Sequence, residues 1–211
     1  MKLKLRKHNY KGKLIVFEGT DGAGKSTLIQ MTQEYFTEKV GQNNVLVIKQ
    51  PTDLSRKTKL FQKMMYSKNH NDIDYRAVQL LTMSDRIQQI KEVIEPALRN
   101  GEIVISDRYI YTSLANMLAR GYKNEKWFFE VAKHIIMPDI SFLVNVDPKL
   151  AIKRIKSRPE EKERYLDETH LIKTSKEFLK IQEASFCVLD SSQKADNAFK
   201  DIEKNLRSMI L

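Results

Sequence analysis

The stretch Glu18-Gly19-Thr20-Asp21-Gly22-Ala23-Gly24-Lys25-Ser26-Thr27 decides how this chain folds. From Gly19 to Ser26 it spells G-x-x-x-x-G-K-S. The apolar run Leu14-Ile15-Val16-Phe17 precedes it and reads as a strand, and Leu28 to Phe36 follows it with a helical pattern. Strand, glycine loop and helix in that order are the context this motif needs. Glycines lack a Cβ, so the backbone can wrap closely round an anion with its N–H groups pointing inward. The helix that follows adds its positive N-terminal end. Lys25 is suited to reach the β- and γ-phosphates of a nucleotide, and the Ser26 hydroxyl to ligate Mg²⁺.

Working outward, Asn44-Val45-Leu46-Val47-Ile48 reads as a second buried strand that ends at Lys49-Gln50-Pro51. Ser55 to Lys68 reads as a helix. A long helix is expected from about Asp74 to Arg99, closed by Asn100-Gly101, because its apolar positions recur with helical spacing. Ile103-Val104-Ile105 is a third strand leading into Asp107-Arg108-Tyr109. Helices are expected over about Tyr111–Arg120 and Glu125–Ile136, a fourth strand over Ile140–Val146, and a helix over Leu171–Ala184. Phe186–Leu189 reads as a fifth strand and about Ala195–Met209 as a last helix. Lys153 to Asp167 is dense in charge and nearly free of large aliphatics, and it reads as an exposed, mobile segment. Buried strands alternating with helices predict an α/β fold, a five-stranded parallel sheet covered on both faces. Ligands of such sheets bind beyond the carboxyl ends of the strands. The glycine loop, Lys49-Gln50-Pro51 and Asp107-Arg108-Tyr109 should therefore share one cleft.

The 211 residues suit a single domain, 1–211, with a full core. No apolar run is long enough to span a bilayer, and the basic N-terminus is followed by no signal-like apolar stretch. One cysteine, Cys187, precludes an intrachain disulfide and fits a reducing compartment, so a cytoplasmic location is expected. The four histidines show no metal-ligand spacing. A net charge of +10 admits either nucleic acid or multiply phosphorylated substrates. The basic residues are spread along the chain without interleaved aromatics, which favours phosphate substrates over nucleic acid.

With these motifs in place the chain resembles the thymidylate kinases over nearly its whole length. Phe17 to Thr27 matches that family's F-E-G-x-D-G-x-G-K-S-T loop, Asp107-Arg108-Tyr109 its D-R-Y motif, Val146-Asp147-Pro148 the approach to its lid, and Glu163-Arg164-Tyr165 its E-R-Y element. The resemblance implies a P-loop NTPase fold and transfer of a phosphoryl group from ATP to dTMP with Mg²⁺. It also implies a homodimer. Gly19, Thr20, Asp21, Gly22, Ala23, Gly24, Lys25, Ser26 and Thr27 would form the nucleotide loop. Asp21 would contact the acceptor's 3′-hydroxyl, Arg108 its phosphate, Arg86 its base and phosphate side, and Tyr165 its deoxyribose. Lys49, Pro51, Thr82 and Thr112 would line the acceptor side. Ser26 and Asp107 would serve the metal, and Lys25, Asp107, Arg108 and a lid arginine the chemistry.

Some members of the family carry arginine directly after the loop aspartate. Others have glycine there and take a catalytic arginine from the lid. Gly22 places this chain in the second group, with Arg158 as the first choice and Arg154 as the second. Three positions depart from the family pattern. Thr82 stands where an aromatic ring often stacks on thymine, Met117 where a glutamine reads the base, and Lys49 where an arginine is common. They imply a raised KM for dTMP and weaker discrimination against dUMP, while Tyr109 is expected to crowd a 2′-hydroxyl. The alternatives are a kinase of another nucleoside monophosphate or of a deoxynucleoside, and a P-loop switch or nucleic-acid-binding protein.

Overall fold

The computed structural model describes residues 3–159, 164–181 and 186–207. In chain order the elements are β1 (Lys13–Glu18), α1 (Lys25–Val40), β2 (Val45–Lys49), α2 (Asp53–Arg56), α3 (Lys59–Tyr66), α4 (Tyr75–Gln89), α5 (Glu95–Asn100), β3 (Ile103–Asp107) and α6 (Ile110–Ala119). Then follow α7 (Lys126–Ala132), β4 (Ile140–Asn145), α8 (Pro148–Lys156), α9 (Glu168–Phe178), β5 (Phe186–Asp190) and α10 (Ala195–Arg207). The strands form one sheet in the order β2-β3-β1-β4-β5, and every pairing is parallel.

Strand β1 is central and buried on both sides, which is why its sequence is a continuous apolar run without polar alternation. Its side chains divide between two cores. Leu14 and Val16 join Val104, Leu143 and the apolar sides of α4 to α7. Ile15 and Phe17 join Ile105, Phe142 and Val144 under α1, α8 and α10. The register places Phe17 beside Asp107 and Lys49 beside Asp107. The carboxyl ends of β1, β2 and β3 therefore reach one level, and their loops open on one crevice, as parallel-sheet topology requires.

The differences from the sequence expectations have local causes. The long helix is continuous from Tyr75 to Asn100, but Ile90–Ile94 forms a wider π-type turn. Pro96 cannot donate to the carbonyl four residues back and its ring crowds that carbonyl, so the ladder widens just before it. The single helix expected over Ser55–Lys68 is split into α2 and α3, because Thr58 accepts the Phe61 N–H and starts a new helix. Helix α7 is shorter than expected. Helix α9 begins earlier, at Glu168, where Asp167 accepts the His170 N–H as its cap. The first residues of the expected lid lie in α8. Residues 160–163 of that segment, Glu163 of the E-R-Y element included, fall outside the described residues. Tyr165 is anchored, its N–H donating to Met65 O at 3.2 Å.

Candidate active site

The glycine loop leaves β1 and enters α1 at Gly24, which adopts a left-handed conformation. At Gly22 the requirement is steric as well as conformational. Its φ is +76°, and a Cβ there would lie 2.3 Å from the Ala151 carbonyl of α8. No side chain fits, so an arginine cannot occupy this position, and any catalytic arginine has to come from elsewhere. Lys25 is buried, in contrast to the solvated position its charge suggests, and its Nζ donates to Gly19 O at 3.1 Å and Thr20 O at 2.9 Å. Burial and the nearby Arg108 push its ammonium down to about 8, against the pull of Asp21, Asp107 and Glu18.

Arg108 is the one non-glycine residue with positive φ, +72°, among the described residues. Such a backbone persists only where surrounding contacts hold it. Here its N–H donates to Phe17 O at 2.8 Å, and its guanidinium to Gly19 O, Thr112 Oγ1 and the Asp21 carboxylate. Arg164 donates to the other Asp21 oxygen at 2.5 Å. Burial would raise the Asp21 carboxyl, but Arg108, Arg164 and Lys25 outweigh it and hold it far below the usual carboxylate range. Beneath them lies Glu18, fully buried and pushed up by that burial. Its carboxylate accepts the N–H groups of Tyr109 (3.0 Å) and Thr112 (3.1 Å) and the Thr112 hydroxyl. Glu18 thereby ties the end of β1 to the start of α6. Glu18→Ala leaves those donors unpaired and should cost about 3 kcal/mol or more of stability, read as a lowered urea midpoint with unchanged slope.

On the far side of the cleft, α4 presents Tyr75, Val78, Gln79, Thr82 and Arg86 as one stripe. Arg86 is buried without a carboxylate partner among the described residues. It donates to Gln50 Oε1 (2.6 Å) and Tyr109 O (3.1 Å) and lies 3.5 Å from Ser113 Oγ. Asp85 accepts the Thr52 N–H at 2.7 Å and the Thr52 hydroxyl at 2.6 Å, pinning the turn after the cis Gln50–Pro51 bond onto α4. Helix α6 lines the cleft with Thr112, Ser113 and Asn116, and the lid side adds Arg158 and Tyr165. The whole forms a cavity of about 470 Å³ that also takes in Thr20, Asp21, Gly22, Gly24, Lys25, Ser26, Lys49, Pro51, Arg86, Asp107 and Arg108.

Asp107 Oδ1 is buried and accepts no hydrogen bond among the described residues, while Oδ2 lies 3.8 Å from Lys49 Nζ. An orphaned carboxylate oxygen in the cavity that the exposed Ser26 also lines suits a hard divalent cation. No cluster of three or more His, Cys, Asp or Glu able to hold a metal exists among the described residues. A cation here would draw its remaining oxygens from substrate phosphates and water, the pattern of Mg²⁺.

A sequence profile described as thymidylate kinase matches residues 17–202. The chain belongs to the thymidylate kinase family. A probable thymidylate kinase of Pyrococcus horikoshii is 38% identical over 151 residues, covering 70% of this chain and 72% of its own. One from Thermococcus kodakarensis is 34% identical over 197 residues, covering 90% and 91%. The thymidylate kinase of Thermosipho africanus is 30% identical over 203 residues, covering 92% and 99%. The crystal structure of thymidylate kinase from Ehrlichia chaffeensis superposes with a TM-score of 0.68 at 22% identity over 93% of this chain and 98% of that one, a likeness of fold.

Set against the thymidylate kinase pattern, three expectations change. Tyr109 is fully buried in the core, its hydroxyl donating to Ile136 O at 3.0 Å, so it cannot crowd an acceptor sugar. Met117 is likewise a core residue, and it is its neighbour Asn116 that reaches the cleft. Arg154 does not point freely at the cleft. It braces the loop, donating to Gly22 O (3.3 Å) and Ser191 O (3.0 Å). Ala23 is buried and Thr27 faces solvent, so these two serve the loop's shape and helix start without lining the cavity. Among the residues given no role from the sequence, Gln50, Arg56 and Gln79 line the cleft and Glu18 lies buried beneath it. Arg56 lines the cavity with its Nε donating to Pro51 O at 2.7 Å.

Proposed function

We propose that this chain, as one domain over 1–211, transfers the γ-phosphoryl group of ATP to dTMP, giving dTDP and ADP with Mg²⁺ as cofactor. The observation that carries this is the continuity of one cavity lined from the glycine loop to Arg86 and Tyr165, so that donor-phosphate and acceptor residues face the same space. Phosphoryl transfer needs positioning and charge cancellation more than covalent chemistry. Loop N–H groups and Lys25 would hold the donor phosphates. Ser26 and Asp107 would hold Mg²⁺, whose contribution is to neutralise charge on the transferring group. Arg108, pre-oriented by Glu18 and Thr112, would hold the acceptor phosphate in line. Asp21 would exchange part of its arginine pairing for the acceptor's 3′-hydroxyl, and Tyr165 would pack on the sugar. Lys49, Pro51, Thr82, Arg86 and Thr112 would complete the acceptor side.

Thr82 is buried with its hydroxyl turned back to Gln79 O at 3.1 Å and offers no ring. The cavity carries other rings, Phe61, Tyr75 and Tyr165 among them. A homodimer and a cytoplasmic location belong to the same reading. The exposed Leu80 on α4, flanked by the small exposed residues Ala77 and Ser84, lies on a face that a second copy would cover. The basic N-terminal segment gives little support to nucleic-acid binding, since Arg6 is paired with Glu95.

A turnover panel over the common ribo- and deoxynucleoside monophosphates tests the assignment. We expect dTMP to give the highest kcat/KM, with ADP release dependent on the acceptor. A purine monophosphate or a ribonucleotide that outperforms dTMP sinks the thymidylate reading, and acceptor-independent ADP release would point to a switch. Asp107→Ala should raise the Mg²⁺ concentration needed for half-maximal rate at least tenfold, since it removes the one carboxylate with a buried unpaired oxygen among the described residues. An unchanged Mg²⁺ requirement places the cation elsewhere.

A further inference from the structure

Three side-chain amides line the cavity: Gln50, Gln79 and Asn116. Two are fully engaged by the protein. Gln50 accepts from Arg86 Nε at 2.6 Å and donates to Gln89 Oε1 at 2.8 Å. Asn116 donates to Thr112 O at 2.8 Å, and its Oδ1 lies 2.8 Å from His170 Nε2. Burial pushes His170 down to about 4, so its neutral ring donates that hydrogen bond at neutral pH. Gln79 differs. It is 7% exposed, its Oε1 is buried, and neither end of its amide bonds another group among the described residues. A buried acceptor without a donor costs stability, and such atoms are rare in folded proteins. Its neighbours in the α4 stripe, Val78 and Thr82, offer it nothing, since the Thr82 hydroxyl is spent on the helix backbone.

We propose that Gln79 is the residue that reads the acceptor base. This rests on the thymidylate reading above. Thymine presents an N3–H donor flanked by carbonyl acceptors. An amide meets that edge with its Oε1 on the N3–H and its Nε2 on a neighbouring carbonyl, which for Gln79 takes a turn of the side chain, since its Oε1 is buried in this structure. The free amide, one turn before Thr82 on the same face of α4, supplies the paired donor and acceptor that Met117 lacks. Asn116 cannot serve instead, because rotating its amide toward a ligand breaks two bonds already made.

The test uses Gln79→Leu and Gln79→Met, both close to the volume of the native side chain, with dTMP and N3-methyl-dTMP as acceptors. We expect the KM for dTMP to rise about tenfold to a hundredfold in both variants. The KM for ATP should stay within twofold, and the KM for N3-methyl-dTMP should stay near its wild-type value. Melting temperatures of the ligand-free variants should equal or exceed the wild-type value, because an unpaired buried acceptor has been removed. If both acceptors weaken equally, the side chain shapes the pocket without reading the base, and the proposal fails. A dTMP KM within twofold of wild type in either folded variant also overturns it. Failure of the thymidylate reading would be seen separately, as a wild-type enzyme that does not turn over dTMP.

Discussion

Lys25→Ala should leave a folded protein whose phosphoryl transfer is slowed about a thousandfold at saturating ATP, in line with the loss of a preorganised charge at the reacting phosphates. The fold should tolerate the change because Lys25 belongs to neither apolar core and its burial disfavours its charge, pushing the ammonium down to about 8. In this structure the ammonium rests on Gly19 O and Thr20 O, from which a polyanion would draw it. The same shift sets a pH dependence. Bound phosphates favour the charged lysine, so ATP binding raises its pKa above the free-enzyme value. ATP affinity should therefore be constant below about 8 and fall as pH rises above it, approaching tenfold per pH unit until the pKa of the complex is reached. Calorimetric titration of a non-hydrolysable ATP analogue from pH 7 to 9.5 checks this. The Lys25→Ala protein should show weaker binding with no such slope. Wild-type affinity that stays flat across the range, or a variant with near wild-type turnover, would contradict the assignment of Lys25 to the phosphates.

Arg158→Ala should lower kcat by a factor on the order of 10³ while changing ATP affinity by only a fewfold, the pattern of a charge used as the phosphoryl group transfers. The structure separates it from Arg154, which the sequence could only rank. Arg154 is committed to Gly22 O and Ser191 O, so its loss should disturb the loop and weaken ATP binding. Arg158 lines the cavity, and its guanidinium has no partner among the described residues. The steric closure at Gly22 by Ala151 gives this a physical basis, since the loop has no room to supply an arginine of its own. Arg158→Lys should recover little, because a point charge lacks the planar fork that spans two phosphate oxygens. Single-turnover rates measured beside equilibrium ATP binding separate the two arginines. An Arg158→Ala enzyme with unchanged kcat, or an Arg154→Ala enzyme with the larger kcat loss, would reverse the roles.

What the sequence determined by itself is what depends on local pattern. The run from Leu14 to Phe36 could only be strand, loop and helix, because its glycines, its apolar run and its helical periodicity each specify the backbone over a few residues. The parallel sheet followed from strands alternating with helices, and the shared cleft from the strands' carboxyl ends. Tertiary structure decided which side chains reach that cleft. On α6, Asn116 and Met117 are adjacent in sequence but point about 100° apart round the helix. Only the packing of α6 on the sheet makes one a cleft residue and the other core. Tyr109 went to the core for the same reason. Glu18, Gln50 and Asp85 act through partners 94, 36 and 33 residues away, and nothing in their neighbours marks them. Gln79 was the least legible: a glutamine in a helix reads as a solvated residue, and its meaning appears only when the fold buries it beside a cavity and leaves its amide without a partner among the described residues.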